Sequence, residues 1–229
     1  MSFFSDFIHL FYPKLCVACG NSLFKDEKEL CLQCIYNLPK TNYHTQTQNP
    51  IEKLFWGRVS IDKVTAFYFF KKDSKVQNIL HELKYDNNQE IGELVGELYG
   101  NELVKADWMQ NIDVIIPVPL GPKKQRIRGY NQSECFAKGL SKATGIKLDI
   151  QTLIRNKDTE TQTRKSRIER WQNVETIFEV VQPENIENMT VLLVDDVVTT
   201  GATLEACANK LLAIKGVNVS IATIAFANL

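Results

Sequence analysis

The stretch 191–204, VLLVDDVVTTGATL, constrains the fold of this chain more than any other part of its sequence. Four apolar residues, typical of a fully buried strand, run directly into two adjacent carboxylates, Asp195 and Asp196. A turn rich in threonine and glycine follows, and a helical pattern covers 203–215. A buried strand that leads through such a turn into a helix indicates a parallel α/β sheet, in which ligands bind beyond the carboxyl ends of the strands.

Short apolar strands alternate with helices through most of the chain. The apolar periods predict strands over 59–70, 113–119, 148–154, 175–181, 191–194 and 217–225, and helices over 75–85, 89–106, 131–143 and 203–215. Three glycines weaken the helical pattern of 89–106, because glycine disfavours a helix interior. The alternation predicts an α/β fold built on a mostly parallel sheet that helices cover on both faces.

Four cysteines near the N-terminus form two CxxC pairs that eleven residues separate: Cys16, Cys19, Cys31 and Cys34. Two such pairs match tetrahedral zinc held by four thiolates. A full set of thiolates leaves no position for water, so the spacing favours structural over catalytic zinc. Two disulfides are the first alternative, which a reducing cytosol disfavours, and a redox CxxC is the second, which needs only one pair. Cys135 and Cys207 fall within helical patterns and are expected to be buried.

A formal net charge of zero conceals a basic block. Residues 121–170 carry 13 Lys and Arg against 5 Asp and Glu, whereas the rest of the chain carries 14 against 22. Such a block predicts an anionic partner. No stretch approaches the roughly 18–20 apolar residues of a spanning helix. The aromatic N-terminus lacks a signal peptide's basic start and cleavage site, so we expect it to be a short packed helix of a cytoplasmic protein without a membrane span.

The residues after the strand 191–194 suit a sugar phosphate. Thr199, Thr200 and Thr203 supply hydroxyl donors, Gly201 lets the backbone approach a ligand, and the N-terminus of the following helix favours an anion. Carboxylates beside a phosphate cradle are explained if they accept hydrogen bonds from ribose hydroxyls. The alternative is an ordinary strand, turn and helix with a threonine cap and surface aspartates. No Walker A sequence is present, which argues against a P-loop nucleotide site.

The same run resembles the phosphoribosyl-diphosphate-binding signature of type I phosphoribosyltransferases. This resemblance implies that Asp195 and Asp196 hold the 2′ and 3′ hydroxyls of ribose and that Mg²⁺ accompanies the diphosphate. It also implies that the 5′-phosphate is held by the loop Thr199, Thr200, Gly201, Ala202 and Thr203.

Two further segments narrow the resemblance to the ComF (competence protein F-like) family. Residues 116–132, IPVPLGPKKQRIRGYNQ, are similar to the family's PVPL…R.RGFNQ run, with Tyr130 in place of phenylalanine. Residues 155–173 are similar to its R…TQ…R..N stretch. Together with the cysteine pairs and Leu83-Lys84-Tyr85, the match covers almost the whole chain. It implies a phosphoribosyltransferase domain over 51–229, with a hood at 51–110 and a core at 111–229, after an N-terminal helix, zinc knuckle and linker over 1–50.

The resemblance also implies where the diphosphate would lie. The diphosphate loop falls on Val118, Pro119 and Leu120, and a mobile lid falls on 156–172. The candidate basic groups of the diphosphate site and lid are Arg126, Arg128, Arg164, Lys165 and Arg167. A solvated basic turn is the alternative interpretation of the side chains after Leu120.

Three functions stay open from the sequence. The first is a catalytic phosphoribosyltransferase of unknown acceptor, and the second is a phosphoribosyl-diphosphate-binding protein of DNA uptake, as the ComF resemblance implies. The second would involve single-stranded DNA and proteins of the competence machinery. The third is a zinc-stabilised interaction module. Trp56, Tyr68 and Phe69 are interpreted as core side chains and not as a base-stacking platform.

Overall fold

A computed structural model describes residues 13–156 and 177–227 of the chain. Most of the predicted N-terminal helix lies outside these ranges, as do the lid candidates Arg164, Lys165 and Arg167.

The described residues form an α/β fold with two sheets. The strands are β1 (Val64–Phe70), β2 (Val114–Pro117), β3 (Lys147–Leu148), β4 (Leu153–Arg155), β5 (Phe178–Val180), β6 (Thr190–Val198) and β7 (Asn218–Ala227). Five of them form a parallel sheet in the order β1-β7-β6-β2-β3, whereas β4 and β5 pair antiparallel in a separate ribbon. The predicted mostly parallel sheet is therefore confirmed.

Seven α-helices connect these strands in the described part of the chain. They are α1 (Leu32–Asn37), α2 (Pro50–Lys53), α3 (Lys75–Tyr85), α4 (Gln89–Lys105), α5 (Pro122–Arg128), α6 (Gln132–Thr144) and α7 (Ala202–Leu212). Short 3₁₀ turns cover Tyr43–Thr45 and Pro183–Asn185. None of the helices in the described ranges combines the length and apolar character that crossing a bilayer requires.

The strand predicted over 148–154 is wrong as a single element, because a turn divides it. Asp149 Oδ1 accepts hydrogen bonds from the backbone N–H groups of Gln151 and Thr152, at 2.8 and 3.0 Å. An aspartate that captures the N–H groups two and three residues ahead closes a turn in place of a strand ladder. As a result β3 ends in the main sheet and β4 begins in the ribbon.

The strand predicted over 191–194 extends further than its apolar run. β6 continues to Val198, because Asp195, Val197 and Val198 keep their register with Thr223, Ala225 and Phe226 of β7. The acidic pair therefore lies within the strand rather than after it.

The three glycines of α4 allow it to pack closely on α6. They recur every fourth residue, at Gly92, Gly96 and Gly100, and all three are buried. A Cβ atom on Gly96 would lie 2.3 Å from the carbonyl oxygen of Phe136, and one on Gly139 of α6 would lie 2.0 Å from that of Glu93. The predicted helix is confirmed, and its glycines form the contact surface that fixes α4 against α6.

The segment that follows the cysteines continues the main sheet. The backbone N–H of Phe69 donates to the carbonyl of Pro39 at 2.8 Å, and that of Thr41 donates to Phe67 at 2.9 Å. Leu30 and Leu38 share one hydrophobic cluster with Leu83 of α3. The predicted linker thus covers the outer edge of β1, and the division of the chain at residue 50 stays a prediction.

Candidate functional site

The acidic pair of β6 is held by contacts from two helices. Ser133 Oγ, in the first turn of α6, donates a hydrogen bond to Asp195 Oδ1 at 2.7 Å. The backbone N–H of Asp196 donates to the same oxygen at 2.9 Å. Lys84 Nζ, in the last turn of α3, lies 2.7 Å from Asp196 Oδ2. Each carboxylate therefore has one oxygen oriented by the protein.

The carboxyl group of Asp195 lies in an environment that disfavours its ionised form. Burial raises the pKa of Asp195 to about 7, and the neighbouring charge of Asp196 acts in the same direction. The hydrogen bonds from Ser133 and the Asp196 backbone, together with the positive charge of Lys84, oppose this rise. Asp195 consequently exchanges its proton close to neutral pH.

The threonine and glycine loop follows β6 and leads into α7. Gly201 is the N-cap of α7 with φ of +76°, a conformation that residues with a side chain rarely adopt. It is buried against Phe55, whose Cζ would lie 2.9 Å from an added Cβ. Residues 197–204 line a shallow depression with Asp195. Thr199, Thr200 and Thr203 are exposed there, beside the backbone N–H groups at the start of the helix.

Arg58 binds the backbone of this loop and a side chain of α7. Its Nη1 donates to the carbonyl oxygens of Leu54 and Thr200, at 2.9 and 3.0 Å. Its other terminal nitrogen pairs with Glu205, a buried residue in the first turn of α7. The guanidinium group therefore links the loop backbone to the helix that follows it.

The predicted diphosphate loop lies on the neighbouring strand of the same sheet edge. β2 pairs with β6, with Pro117 opposite Val194. The backbone N–H of Val118 donates to the Val194 carbonyl at 2.8 Å, and Asn131 Nδ2 donates to the carbonyl of Val118 at 2.9 Å. Val118 is buried, and Pro119 and Leu120 are half-buried. The structure therefore brings residues 118–120 together with the acidic pair.

The candidate basic groups differ in position. Arg128 Nη1 donates to Gln132 Oε1 at 2.7 Å, and its guanidinium carbon lies 5.4 Å from the centre of the exposed Tyr85 ring. Arg126 is exposed in the last turn of α5, so the segment that the alternative interpretation described as a solvated basic turn is a short helix. Pro122 starts that helix and Gly129 ends it in the left-handed conformation. Arg164, Lys165 and Arg167 lie outside the described residues.

Sequence reasoning did not assign a role to several residues of this site. Arg128 contacts Gln132, which precedes Ser133 in the sequence, and Tyr85, which follows Lys84. Ser133 binds Asp195, and Lys84 binds Asp196. Arg128 therefore connects the two segments that hold the acidic pair. Residues 83–85 contributed to the ComF resemblance, which was the only signal that Lys84 mattered. Ser133, Phe55 and Arg58 carried no recognisable motif of their own.

The four N-terminal cysteines converge on one point. The Sγ atoms of Cys16, Cys19, Cys31 and Cys34 lie within 4.8 Å of one another, and those of Cys19 and Cys31 are 3.8 Å apart. Zn–S bonds of about 2.3 Å in a tetrahedron place sulfur atoms about 3.8 Å apart. All four cysteines are free thiols, so the cluster has the chemistry and the spacing to hold a metal ion.

The thiols of this cluster resist simultaneous ionisation. Burial raises the pKa of Cys16, but hydrogen bonds from nearby backbone N–H groups, that of Cys31 first, bring it down to about 7. Burial raises the pKa of Cys34 well above its usual range, and the charge of Cys16 adds to the rise. A bound cation would remove this conflict, because metal coordination deprotonates the thiols it binds.

Comparison with known proteins gives a match to a domain family and several curated relatives. Residues 131–228 match the phosphoribosyl transferase domain family. The DNA utilization protein YhgH of Escherichia coli is 30% identical over 202 residues, covering 86% of this chain and 84% of its own. The Competence protein F of Haemophilus influenzae is 40% identical over 100 residues, covering 43% of this chain and 44% of its own.

Solved structures give more distant matches. A glutamine phosphoribosylpyrophosphate amidotransferase from Bacillus subtilis matches 62% of this chain and 30% of its own, at 22% identity and a TM-score of 0.42. A hypoxanthine phosphoribosyltransferase from Staphylococcus aureus matches 67% of this chain and 71% of its own, at 19% identity and a TM-score of 0.37.

Proposed function

Because this chain belongs to the ComF-like family of proteins with a type I phosphoribosyltransferase domain, we propose that it binds phosphoribosyl diphosphate in a DNA-uptake context. The observation that carries the proposal is the meeting of three features at one sheet edge. These are the acidic pair within β6, the threonine loop before α7 and the loop after β2.

Each part of the proposed ligand has a chemically suited partner. Asp195 and Asp196 accept hydrogen bonds from the two ribose hydroxyls, and the 5′-phosphate takes the N–H and hydroxyl donors of residues 199–203. The diphosphate lies against residues 118–120, with Arg126 and Arg128 on its outer side. Mg²⁺ would bind with the diphosphate and neutralise part of its charge, since this ion favours substrate phosphates and water over sites made of protein groups alone. Arg164, Lys165 and Arg167 stay candidate lid ligands.

We propose zinc as the metal of the cysteine cluster. Four thiolates at tetrahedral spacing suit Zn²⁺, and the complete thiolate set gives it a structural role. Reduced thiols in such a cluster also favour the cytoplasm as the site of the protein, since disulfides dominate in oxidising compartments. The proposed units are the segment 1–50 and the phosphoribosyltransferase domain 51–229, with its hood at 51–110.

Single-stranded DNA and proteins of the competence machinery are the proposed partners. Relatives bear names that refer to DNA utilization and competence. Trp56 was expected in the core, but its side chain is 56% exposed, and Lys53 Nζ lies 5.9 Å from the centre of its ring. Of the other two aromatic residues expected in the core, Tyr68 is fully buried and Phe69 lies at the surface. An exposed aromatic ring beside a cation suits base stacking and phosphate attraction.

A catalytic phosphoribosyltransferase is the alternative function. In that reaction the bond between ribose C1 and the diphosphate oxygen breaks, and a nitrogen nucleophile of the acceptor forms the new bond to C1. The diphosphate leaves with both electrons of the broken bond, and the attacking nitrogen releases its proton to solvent; Mg²⁺ and basic groups would stabilise the charge on the diphosphate. Asp195 would hold the ribose both before and after the diphosphate leaves.

Calorimetric titration with phosphoribosyl diphosphate and Mg²⁺ tests the proposed ligand. We expect saturable binding by the wild type and loss of binding in the Asp195→Asn/Asp196→Asn double variant. Lys142→Gln is the matched control, because Lys142 pairs with Glu97 on the surface instead of with this site. Equal binding by the acidic-pair variant would refute the assignment.

Two further assays separate the functions. A gel shift with single-stranded DNA across a salt series should show affinity that falls steeply with salt and weakens in Trp56→Ala. Release of diphosphate that depends on an added base or amine would favour the catalytic alternative. Binding of phosphoribosyl diphosphate without such release would favour the binding function.

A further inference from the structure

Lys84 reaches the acidic pair from a rigid position. Its side chain is 25% exposed and extends from the last turn of α3, where Leu80 and Leu83 are buried. The hydroxyl of Tyr130, itself buried, donates to the carbonyl oxygen of Leu83 at 2.6 Å. The end of α3 is therefore fastened to the segment between α5 and α6, and this contact holds the backbone that carries Lys84.

The acidic pair needs a nearby cation. Asp195 and Asp196 are adjacent in one strand, and two carboxylates this close repel each other when both are ionised. Charged and titratable groups approach them from several elements. Lys84 comes from α3, Ser133 from α6 and Cys207 from α7, and Arg155 of β4 acts electrostatically on Cys207. Among the residues that the structure describes, Lys84 is the cation that forms an ion pair with a carboxylate of the pair.

The contacts with the protein use one oxygen of each carboxylate. Ser133 and the Asp196 backbone engage Oδ1 of Asp195, and Lys84 engages Oδ2 of Asp196. Within the described residues no hydrogen bond reaches the other oxygen of either carboxylate. One acceptor of each carboxylate is thus left for a pair of neighbouring hydroxyl groups.

We propose that Lys84 is a positioning residue of this site: its ammonium group orients the Asp196 carboxylate and balances negative charge at the acidic pair, so that both carboxylates can accept the ribose hydroxyls. This inference rests on the proposed function and adds a residue from the predicted hood to it. Burial raises the pKa of Asp195, and the positive charge of Lys84 lowers it. The cation therefore opposes the effect of burial on this carboxyl group.

The first experiment uses the protein without ligand. Carboxyl ¹³C NMR titration should show the Asp195 midpoint moving to higher pH in Lys84→Gln, and returning toward the wild-type value in Lys84→Arg. Lys142→Gln should leave this midpoint unchanged. If Lys84→Gln does not fold, Lys84→Met is titrated in its place. An unchanged midpoint in a folded, uncharged variant would overturn the proposal.

The second experiment measures the affinity for phosphoribosyl diphosphate with Mg²⁺ between pH 6 and 9. In Lys84→Gln we expect about a fivefold loss of affinity at pH 7, the fall in the ionised fraction of Asp195 when its pKa rises by about one unit, and nearly full recovery by pH 9. A uniform loss across this range would indicate a merely structural role and would contradict the inference. Absence of binding by the wild type would refute the proposed function, whereas the ligand-free titration would still decide the role of Lys84.

Discussion

The Ser133 hydroxyl donates a 2.7 Å hydrogen bond to Oδ1 of Asp195 and thereby joins the first turn of α6 to the acidic end of β6. Ser133 directly follows the RGYNQ run at 128–132, whose Asn131 also holds the carbonyl of Val118. This run therefore connects the loop after β2 with the acidic pair. Its place in the chain explains why the two motifs found separately in the sequence meet in the fold.

Replacing Asp195 should change how stability depends on pH. The folded-state pKa of Asp195 is raised to about 7, so the native protein binds this proton more tightly than the unfolded chain, whose pKa is about 3.9. This group therefore stabilises the fold at low pH, and its contribution is lost as pH rises from about 4 to 7. Asp195→Asn should show a flatter profile across this window.

Urea unfolding at half-unit steps from pH 4 to 9 measures this effect. At pH 8 the Asp195→Asn variant should be more stable than the wild type, and a gain of ~1 kcal/mol would raise its Tm by about 2–4 °C. Asp107→Asn is a surface control in the turn after α4. A parallel pH profile for Asp195→Asn and wild type would contradict a titration of Asp195 near neutrality.

Gly201→Ala should distort the loop that precedes α7. The added Cβ meets the Phe55 ring, and the φ of +76° strains any residue with a side chain. We expect affinity for inorganic phosphate or phosphoribosyl diphosphate to fall at least about tenfold. Gly145→Ala is the matched control, because its φ of +75° carries the same strain with open space around it. Equal affinity losses in both variants would show that the Phe55 contact is irrelevant.

Gly139→Ala should be among the most destabilising small substitutions in the chain. Its Cβ would lie 2.0 Å from the carbonyl oxygen of Glu93, and the backbone of α4 would have to move away. We expect a loss of about 3 kcal/mol in the free energy of unfolding, at the upper end of overpacking effects. Chemical denaturation measures this loss, with Asn101→Ala on the exposed side of α4 as a control. A loss below that of the control would contradict the close helix contact.

Cys34→Ser should abolish stoichiometric metal in the purified protein. Cys34 is fully buried in the four-thiol cluster, and removing one ligand opens the site. We expect zinc content near one per chain in the wild type, near zero in the variant, and a lower Tm in the variant. Cys135→Ala removes a buried thiol elsewhere and should retain the metal. If removing the metal from the wild type with a chelator left its Tm unchanged, a structural role of the metal would be refuted.

The sequence predicted those elements whose pattern is local. α3 matches its predicted bounds, because its apolar residues recur on one face and Ser74 caps its start. The strand over 148–154 was wrong because Asp149 closes a turn that apolar periodicity does not reveal. The end of β6 was placed too early, since its last residues are held by pairing with β7.

The site could be predicted only where it forms a continuous motif. The acidic pair and threonine loop lie within one run, and the structure adds partners that come from distant parts of the chain. Lys84 and Asp196 are more than a hundred positions apart, as are Arg58 and Thr200. Such contacts depend on how helices are placed against the sheet, and no local pattern of residues encodes them.

The backbone pairing of residues 39–41 with β1 connects the cysteine cluster to the edge of the main sheet. β1 is the outermost strand of the main sheet on that side, and an uncovered edge strand is a template for pairing with another chain. The covering residues follow Leu38, whose side chain is buried in the cluster shared with Cys34. We therefore expect that loss of the proposed metal would loosen this cover and leave β1 open to edge-to-edge aggregation.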